Sequence, residues 1–228
     1  MRLALFDLDR TLLPIDSADD WSHFVVRAGG LDPARYGARI REFADTYAAG
    51  RFDALAYLDF QMGLLTRLPR AQLERLRAEF VRARVLPHVR REAVELVDTH
   101  RRAGDELAVV TGTNAFVARP IADAFGIEHL LAVEPEERDG EFTGRHVGTH
   151  SHGEGKVRKV EAFLAQRGTT LERCESLAFY SDSIVDLPLL ERVAAAGGRA
   201  VVTNGDAGLR AVAAARGWPV LELFARAA

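Results

Sequence analysis

The chain has 228 residues, with 30 Lys plus Arg against 33 Asp plus Glu and a formal charge of -3. That length allows one medium domain, or a core with a smaller insert, to bury a hydrophobic core without cross-links. The interspersed charges exclude a broad nucleic-acid surface, and a single cysteine, Cys174, excludes an internal disulfide and points to the reducing cytoplasm.

The first predicted element is a short apolar strand, Arg2 to Phe6. It meets Asp7 and Asp9 too soon for a signal peptide or a membrane span, and no later stretch reaches the length of a span. No membrane partner is expected. Roughly a hundred residues separate this strand from the next, too many for one crossover helix. Residues Ser17 to Arg84 read as an inserted set of helices. Their apolar faces are predicted as Trp21, Phe24, Val25 and Ala28, then Leu55, Leu58 and Met62, then Leu73, Leu76, Phe80 and Val81. Gly29-Gly30, Gly50 and Gly63 punctuate the insert as turns. Leu86-Pro87 marks the return to the core, followed by a helix that uses Ala93, Val94, Leu96 and Val97.

Further strands are predicted at Glu106 to Val110, Leu177 to Tyr180, Arg199 to Val202 and Pro219 to Leu223, with helical intervals between them. This alternation predicts an α/β fold, a Rossmann-like parallel sheet with helices on both faces and an inserted α-helical cap. Asp139-Gly140, between Leu130 to Val133 and Glu141 to Val147, predicts a small hairpin beside the sheet. Four strands end in polar tails: Asp7 to Thr11, Thr111 to Asn114, Ser181 to Ser183 and Thr203 to Asp206. In open α/β sheets ligands bind beyond the carboxyl ends of strands, so these tails should converge.

The tails carry the chemistry. Asp7 and Asp9 put two carboxylates two residues apart at a strand end, an arrangement that asks for a cation, with Mg²⁺ the natural choice beside phosphate. An aspartate there can attack phosphorus; alternatively the loop is a helix cap built on Asp9 or Thr11. Thr111-Gly112-Thr113-Asn114 suits either a phosphoryl oxygen or a plain N-cap, and Gly112 permits close backbone approach. Lys156 opens a helix, where its charge opposes the macrodipole, so a carboxylate and a phosphate are better reasons for its place than solubility. Asp182 can join the metal site, and Asp186 can orient Lys156, Asp182 or a water, or start a helix. His150-x-His152 is the nearest approach of seven histidines to a metal pattern, and it lacks a further ligand.

Taken together, Asp7-x-Asp9-x-Thr11, Thr111, Lys156 and Asp182 with Asp186 resemble, in chain order, the four motifs of the haloacid dehalogenase-like (HAD) hydrolases. The likeness covers nearly the whole chain. The run Tyr180 to Leu190 is similar to the helical-cap branch that contains phosphoserine phosphatases and bacterial histidinol-phosphatase-like proteins. The resemblance implies a catalytic core at 1–16 and 85–228 and a cap at 17–84. It implies a Mg²⁺-dependent phosphomonoester hydrolase of a small soluble phosphorylated metabolite, phosphoserine or histidinol phosphate among the candidates, working through an aspartyl phosphate. Asp7 would be the nucleophile, Asp9 the acid and base, Thr111 and Lys156 the phosphoryl contacts, and Asp7, Asp9 and Asp182 the metal ligands. The backbone carbonyl of Asp9 is a further expected metal contact. The branch commonly has Asn where this chain has Val185, which leaves Asn114 or Ser183 to compensate. Phosphotransfer to another acceptor, or a weakly catalytic phospho-ligand binder, are the alternatives.

Overall fold

The computed structural model describes residues 1–49 and 51–224. Gly50, an expected turn, lies outside the described residues. Seven strands form one sheet: β1 (Arg2–Phe6), β2 (Glu106–Asn114), β3 (His129–Arg138), β4 (Glu141–Val147), β5 (Ser176–Ser181), β6 (Arg199–Thr203) and β7 (Val220–Leu221). Their order is β4-β3-β2-β1-β5-β6-β7, all parallel except β4, which runs antiparallel to β3. The chain thus reaches its central strand first and must cross to each side afterwards, which creates the crevice above β1.

Alternation along β1 divides the core. Ala4 and Phe6 face one apolar cluster and Leu3 and Leu5 the other, all fully buried. The first cluster includes residues of α5 (Arg91–Arg102) and α6 (Ala115–Ala124); the second is covered by α7 (Glu154–Ala165), α8 (Leu187–Ala195) and α9 (Ala207–Arg216).

Between β1 and α5 lies the inserted helical-cap region: α1 (Ser17–Ala28), α2 (Pro33–Ala48), α3 (Ala54–Leu64) and α4 (Arg70–Phe80), which continues into one π-helical turn at Val81–Val85. Side-chain caps start three of them, Asp16 on α1, Asp32 on α2 and Asp53 on α3. Trp21 on α1 packs edge-on against Phe80 and against Phe116 of α6, so cap and sheet share one cluster. No helix among the described residues is long and apolar enough to cross a membrane.

Several expectations change. Ala28, at the last turn of α1, and Leu55, at the first turn of α3, are exposed, and Val81 is half-buried against the core. The hairpin is not beside the sheet: β3 pairs with β2 within it and then runs on to meet β4, making the sheet mixed. Strand β2 continues past Val110 to Asn114, with a register shift against β3 over that stretch. Such an irregularity bends a strand and re-aims its side chains. Here it falls on the Thr111 to Asn114 tail.

Candidate active site

A cavity of about 260 Å³ lies above the carboxyl ends of β1, β2 and β5, roofed by the cap. Asp7, Asp9, Thr111, Asn114, Lys156, Asp182, Ser183 and Asp186 all line it. Every residue expected from the sequence to carry chemistry is therefore at one place.

Lys156 is the pivot. Helix α7 begins after Gly153, whose φ of 49° allows the tight entry. Lys156, 3% exposed, extends its Nζ to Asp7 Oδ1 at 2.7 Å and to Asp186 Oδ2 at 2.6 Å. Burial alone would lower the lysine's pKa, but Asp186 and Asp7 outweigh it and hold the ammonium charged. Of the roles open to Asp186, orienting Lys156 is the one seen; Ser181 Oγ also donates to it at 2.8 Å.

Asp7 and Asp182 share the Thr11 hydroxyl, which lies 3.2 Å from Asp7 Oδ2 and 3.2 Å from Asp182 Oδ1. Thr11 is thus no helix cap. Asp9 turns elsewhere. Its Oδ1 accepts from the backbone N–H of Ser17, the first residue of α1, at 2.6 Å, and its Oδ2 accepts from Thr113 Oγ1 at 2.7 Å. With both carboxylate oxygens so engaged, Asp9 has its backbone carbonyl left to offer a metal. Thr111 Oγ1 accepts from Thr113 N at 3.1 Å, Asn114 Oδ1 caps α6 through Val117 N, and Ser183 Oγ caps the turn at Val185 N. The fourth tail braces the others from behind. Asn204 Nδ2 donates to the carbonyls of Arg10 and Thr11, while Asp206 accepts from Ile184 N and donates its own N–H to the Asp182 carbonyl.

The carboxylates carry the cost of this crowding. Burial first, then the Lys156 and Asp186 charges in opposite senses, leave Asp7 raised to about 6. Burial, then Asp16 and Asp7, raise Asp9 to about 7; burial, then Asp7 and Asp186, raise Asp182 to about 8. Asp7 and Asp186 share the buried Lys156 ammonium while Asp9 and Asp182 line the same cavity, so these groups alone leave surplus negative charge. Among the described residues no three acidic, histidine or cysteine side chains are drawn together closely enough to chelate a metal by themselves. A hard ion that keeps several waters needs fewer protein oxygens, and the donor set fits that kind of cation.

Residue patterns did not single out Thr113 by itself or the pairing of Phe43 and Phe52 with Tyr57. Thr113 alternates with Thr111 across an ordinary-looking strand tail. On the cap side, Phe43, Phe52 and Tyr57 form a cluster of rings with centroids 5.1 to 6.5 Å apart, beside Asp16, Asp19 and Gln61. Tyr57 lines the cavity, and Trp21 is core.

The pattern of haloacid dehalogenase-like hydrolases matches residues 4–191. A histidinol-phosphatase of Neisseria meningitidis serogroup C is 38% identical over 220 residues, 96% of this chain and 97% of that protein. The chain belongs to the haloacid dehalogenase-like hydrolases. A phosphoserine phosphatase of Mycobacterium tuberculosis H37Rv is 32% identical over 227 residues, covering 95% of this chain and 69% of its own. A crystal structure of a protein of unknown function from Bordetella pertussis Tohama I superposes with a TM-score of 0.91 at 45% identity, over 98% of this chain and 99% of that one. This HAD hydrolase is therefore an enzyme whose fold is shared across its whole length by a solved structure.

Proposed function

We propose that the chain is a Mg²⁺-dependent phosphomonoester hydrolase of the cytoplasm, with residues 17–84 as its cap and 1–16 with 85–228 as its core. The observation that carries this reading is the division of labour between the two aspartates. Asp7 is pinned by Lys156 in the cavity wall, whereas Asp9 is held apart by Ser17 N and Thr113 Oγ1 and takes up its proton near neutral pH.

Asp7 attacks phosphorus and forms an aspartyl phosphate as the bond to the leaving oxygen breaks, and Asp9 gives that oxygen its proton. Water then attacks the same phosphorus, returns a proton to Asp9 and frees the Asp7 carboxylate. Thr111 and the Lys156 ammonium face the transferring group, where preformed donors stabilise its charge without reorganising. Mg²⁺, held by Asp7, Asp182 and the Asp9 carbonyl, would supply neutralising charge to the phosphoryl oxygens.

The metal assignment makes a testable claim about stability. Asp7 and Asp182 titrate higher in the folded chain than the ordinary 3.8. The folded state then binds more protons than the unfolded one, and metal-free stability falls as pH rises from about 4 to 8. Mg²⁺ takes the ionised forms. At a hundredfold excess over its Kd it should add about 2.7 kcal/mol, roughly 5 to 10 °C in melting temperature, at pH 8 and much less at pH 5. Equal increments at both pH values in a thermal melt would remove Mg²⁺ from these carboxylates.

The cap end supports a narrower substrate class. Asp16, Asp19 and the Gln61 carbonyl oxygen are acceptors, and the Gln61 Oε1 is buried without a partner among the described residues. Three aromatic rings stand beside them, a combination that suits a cationic, flat head group. Of the nearby arginines, Arg27 and Arg51 do not line the cavity, and Arg10, which does, is paired with Asp16 at 3.3 Å. Of the two candidate substrates, histidinol phosphate is favoured over phosphoserine, in keeping with the name of the Neisseria relative. A phosphatase panel with and without Mg²⁺ tests this: kcat/KM for histidinol phosphate should exceed that for phosphoserine by at least about tenfold. The reverse preference would reject the cationic class.

A further inference from the structure

His152 lines the cavity, yet the reaction outlined above gives it no task. Its position is specific. A Cβ at Gly112 would stand 2.4 Å from Cε1, 2.8 Å from Nε2 and 3.0 Å from Nδ1 of His152. The nitrogen-bearing edge of the imidazole therefore points at the middle of the Thr111 to Thr113 loop, and Gly112 lacks a side chain because that ring occupies the space. Close approach at Gly112, expected from the sequence for a phosphoryl group, is made by the histidine.

Neither ring nitrogen has a hydrogen-bond partner among the described residues; only the backbone N–H and carbonyl of His152 are engaged. The ring is part-buried in the cavity wall, so its nitrogens are open to a group that enters the cavity. A metal role is unsupported, since the nearest histidine ring, His150, is centred 6.4 Å away and no third ligand gathers with the pair among the described residues. Burial first, and the Lys156 charge second, push the imidazole down to about 4, so it is neutral at physiological pH and carries one N–H donor and one acceptor. Val185, on the opposite lip of this corner, lines the cavity with a side chain that cannot donate, and its carbonyl oxygen lies 3.8 Å from where a Cβ of Gly153 would be.

We propose that His152 donates its ring N–H to a non-bridging oxygen of the phosphoryl group transferred to Asp7, supplying the donor that Val185 lacks. The inference rests on the phosphatase reading and adds a substrate-contacting residue to it. Gly112 is then a positioning residue, setting the ring against the loop.

The test compares His152→Ala, His152→Gln, Gly112→Ala and the double variant His152→Ala with Val185→Asn. Two readouts are taken with Mg²⁺ present: kcat/KM for p-nitrophenyl phosphate, and orthophosphate affinity by calorimetry. His152→Ala should lose about 10- to 100-fold in kcat/KM and about tenfold in orthophosphate affinity, the scale of a hydrogen bond to a charged group. His152→Gln, which fills the space and keeps a donor, should retain most of both, and Val185→Asn should recover part of the loss. Gly112→Ala should match His152→Ala in the wild-type background and cost nothing further once the ring is gone. His152→Ala within about twofold of wild type in both readouts, or Gly112→Ala equally costly with and without the imidazole, overturns the proposal. Absence of wild-type turnover beside a tenfold loss of orthophosphate affinity in His152→Ala would instead reject the phosphatase reading and leave the histidine contact standing.

Discussion

Replacing Asp7 by Asn is expected to abolish phosphomonoester turnover, by at least about 10⁴-fold, while leaving the protein folded. The amide is close to isosteric but has no anionic oxygen to bring to phosphorus, and the neighbouring acids at the strand ends are engaged elsewhere. Asp9 is tied to Ser17 N and Thr113, Asp186 is on Lys156, and Asp182 stands across the Thr11 hydroxyl. Folding should survive because Lys156 keeps Asp186 at 2.6 Å. The sign of the charge effect agrees. Asp7 titrates near 6 in the folded chain, above its ordinary 3.8, so its ionisation opposes folding at neutral pH and an amide removes that opposition. Circular dichroism and a melting curve, measured beside the phosphate-release assay, separate loss of chemistry from loss of structure.

Lys156→Met should be the most damaging change for stability. Methionine matches the stem of lysine but removes the one buried cation from between Asp7 and Asp186, both of which are nearly inaccessible to water. Breaking a buried pair in this way costs about 3 to 5 kcal/mol, roughly 10 °C in melting temperature for a chain of this size. The loss should be full at pH 8 and shrink toward pH 5, because the stranded carboxylates escape their penalty by taking up protons. Asp186→Asn should be milder, since Asp7 still pairs with the ammonium. Melting curves of the three proteins at pH 5 and pH 8 check the order, and a Lys156→Met protein as stable as wild type at pH 8 would contradict the description of this pair.

The two variants also mark what was legible before any coordinates. Asp7, Asp9, Thr111 and Asp182 stand out because each sits where an apolar strand stops, Lys156 because a helix pattern begins there, and a parallel sheet brings such ends to one edge. Lys156 was conspicuous for a further reason: it is one of two lysines in a chain otherwise served by arginine, and it opposes the dipole of its own helix. Its two carboxylate partners explain that placement.

What stayed hidden has physical causes as well. Thr113 reaches Asp9 because β2 is irregular against β3 past Val110, and residue type alone does not announce a strand irregularity. His152 read only as half of a poor metal pair, since its contact with Gly112 spans forty residues of chain. The ring cluster of Phe43, Phe52 and Tyr57 draws on two helices and a loop whose relative placement is set by packing. Helical periodicity overreached in the same region, where Ala28 and Leu55 fit an apolar stripe but face solvent. The meeting of the strand ends was legible, whereas the sheet order, with β1 central, and the continuation of β3 into an antiparallel pair with β4 depend on long-range pairing.

The central claim is that the phosphoryl group passes through a covalent bond to Asp7. Acid quenching during turnover with Mg²⁺, followed by peptide mapping by mass spectrometry, tests it most directly. The account predicts one phosphoryl group, labile to hydroxylamine as an acyl phosphate is, on the peptide containing Asp7 and absent from Asp7→Asn. A phosphoryl group found on another residue, or undiminished phosphate release by Asp7→Asn, would contradict it.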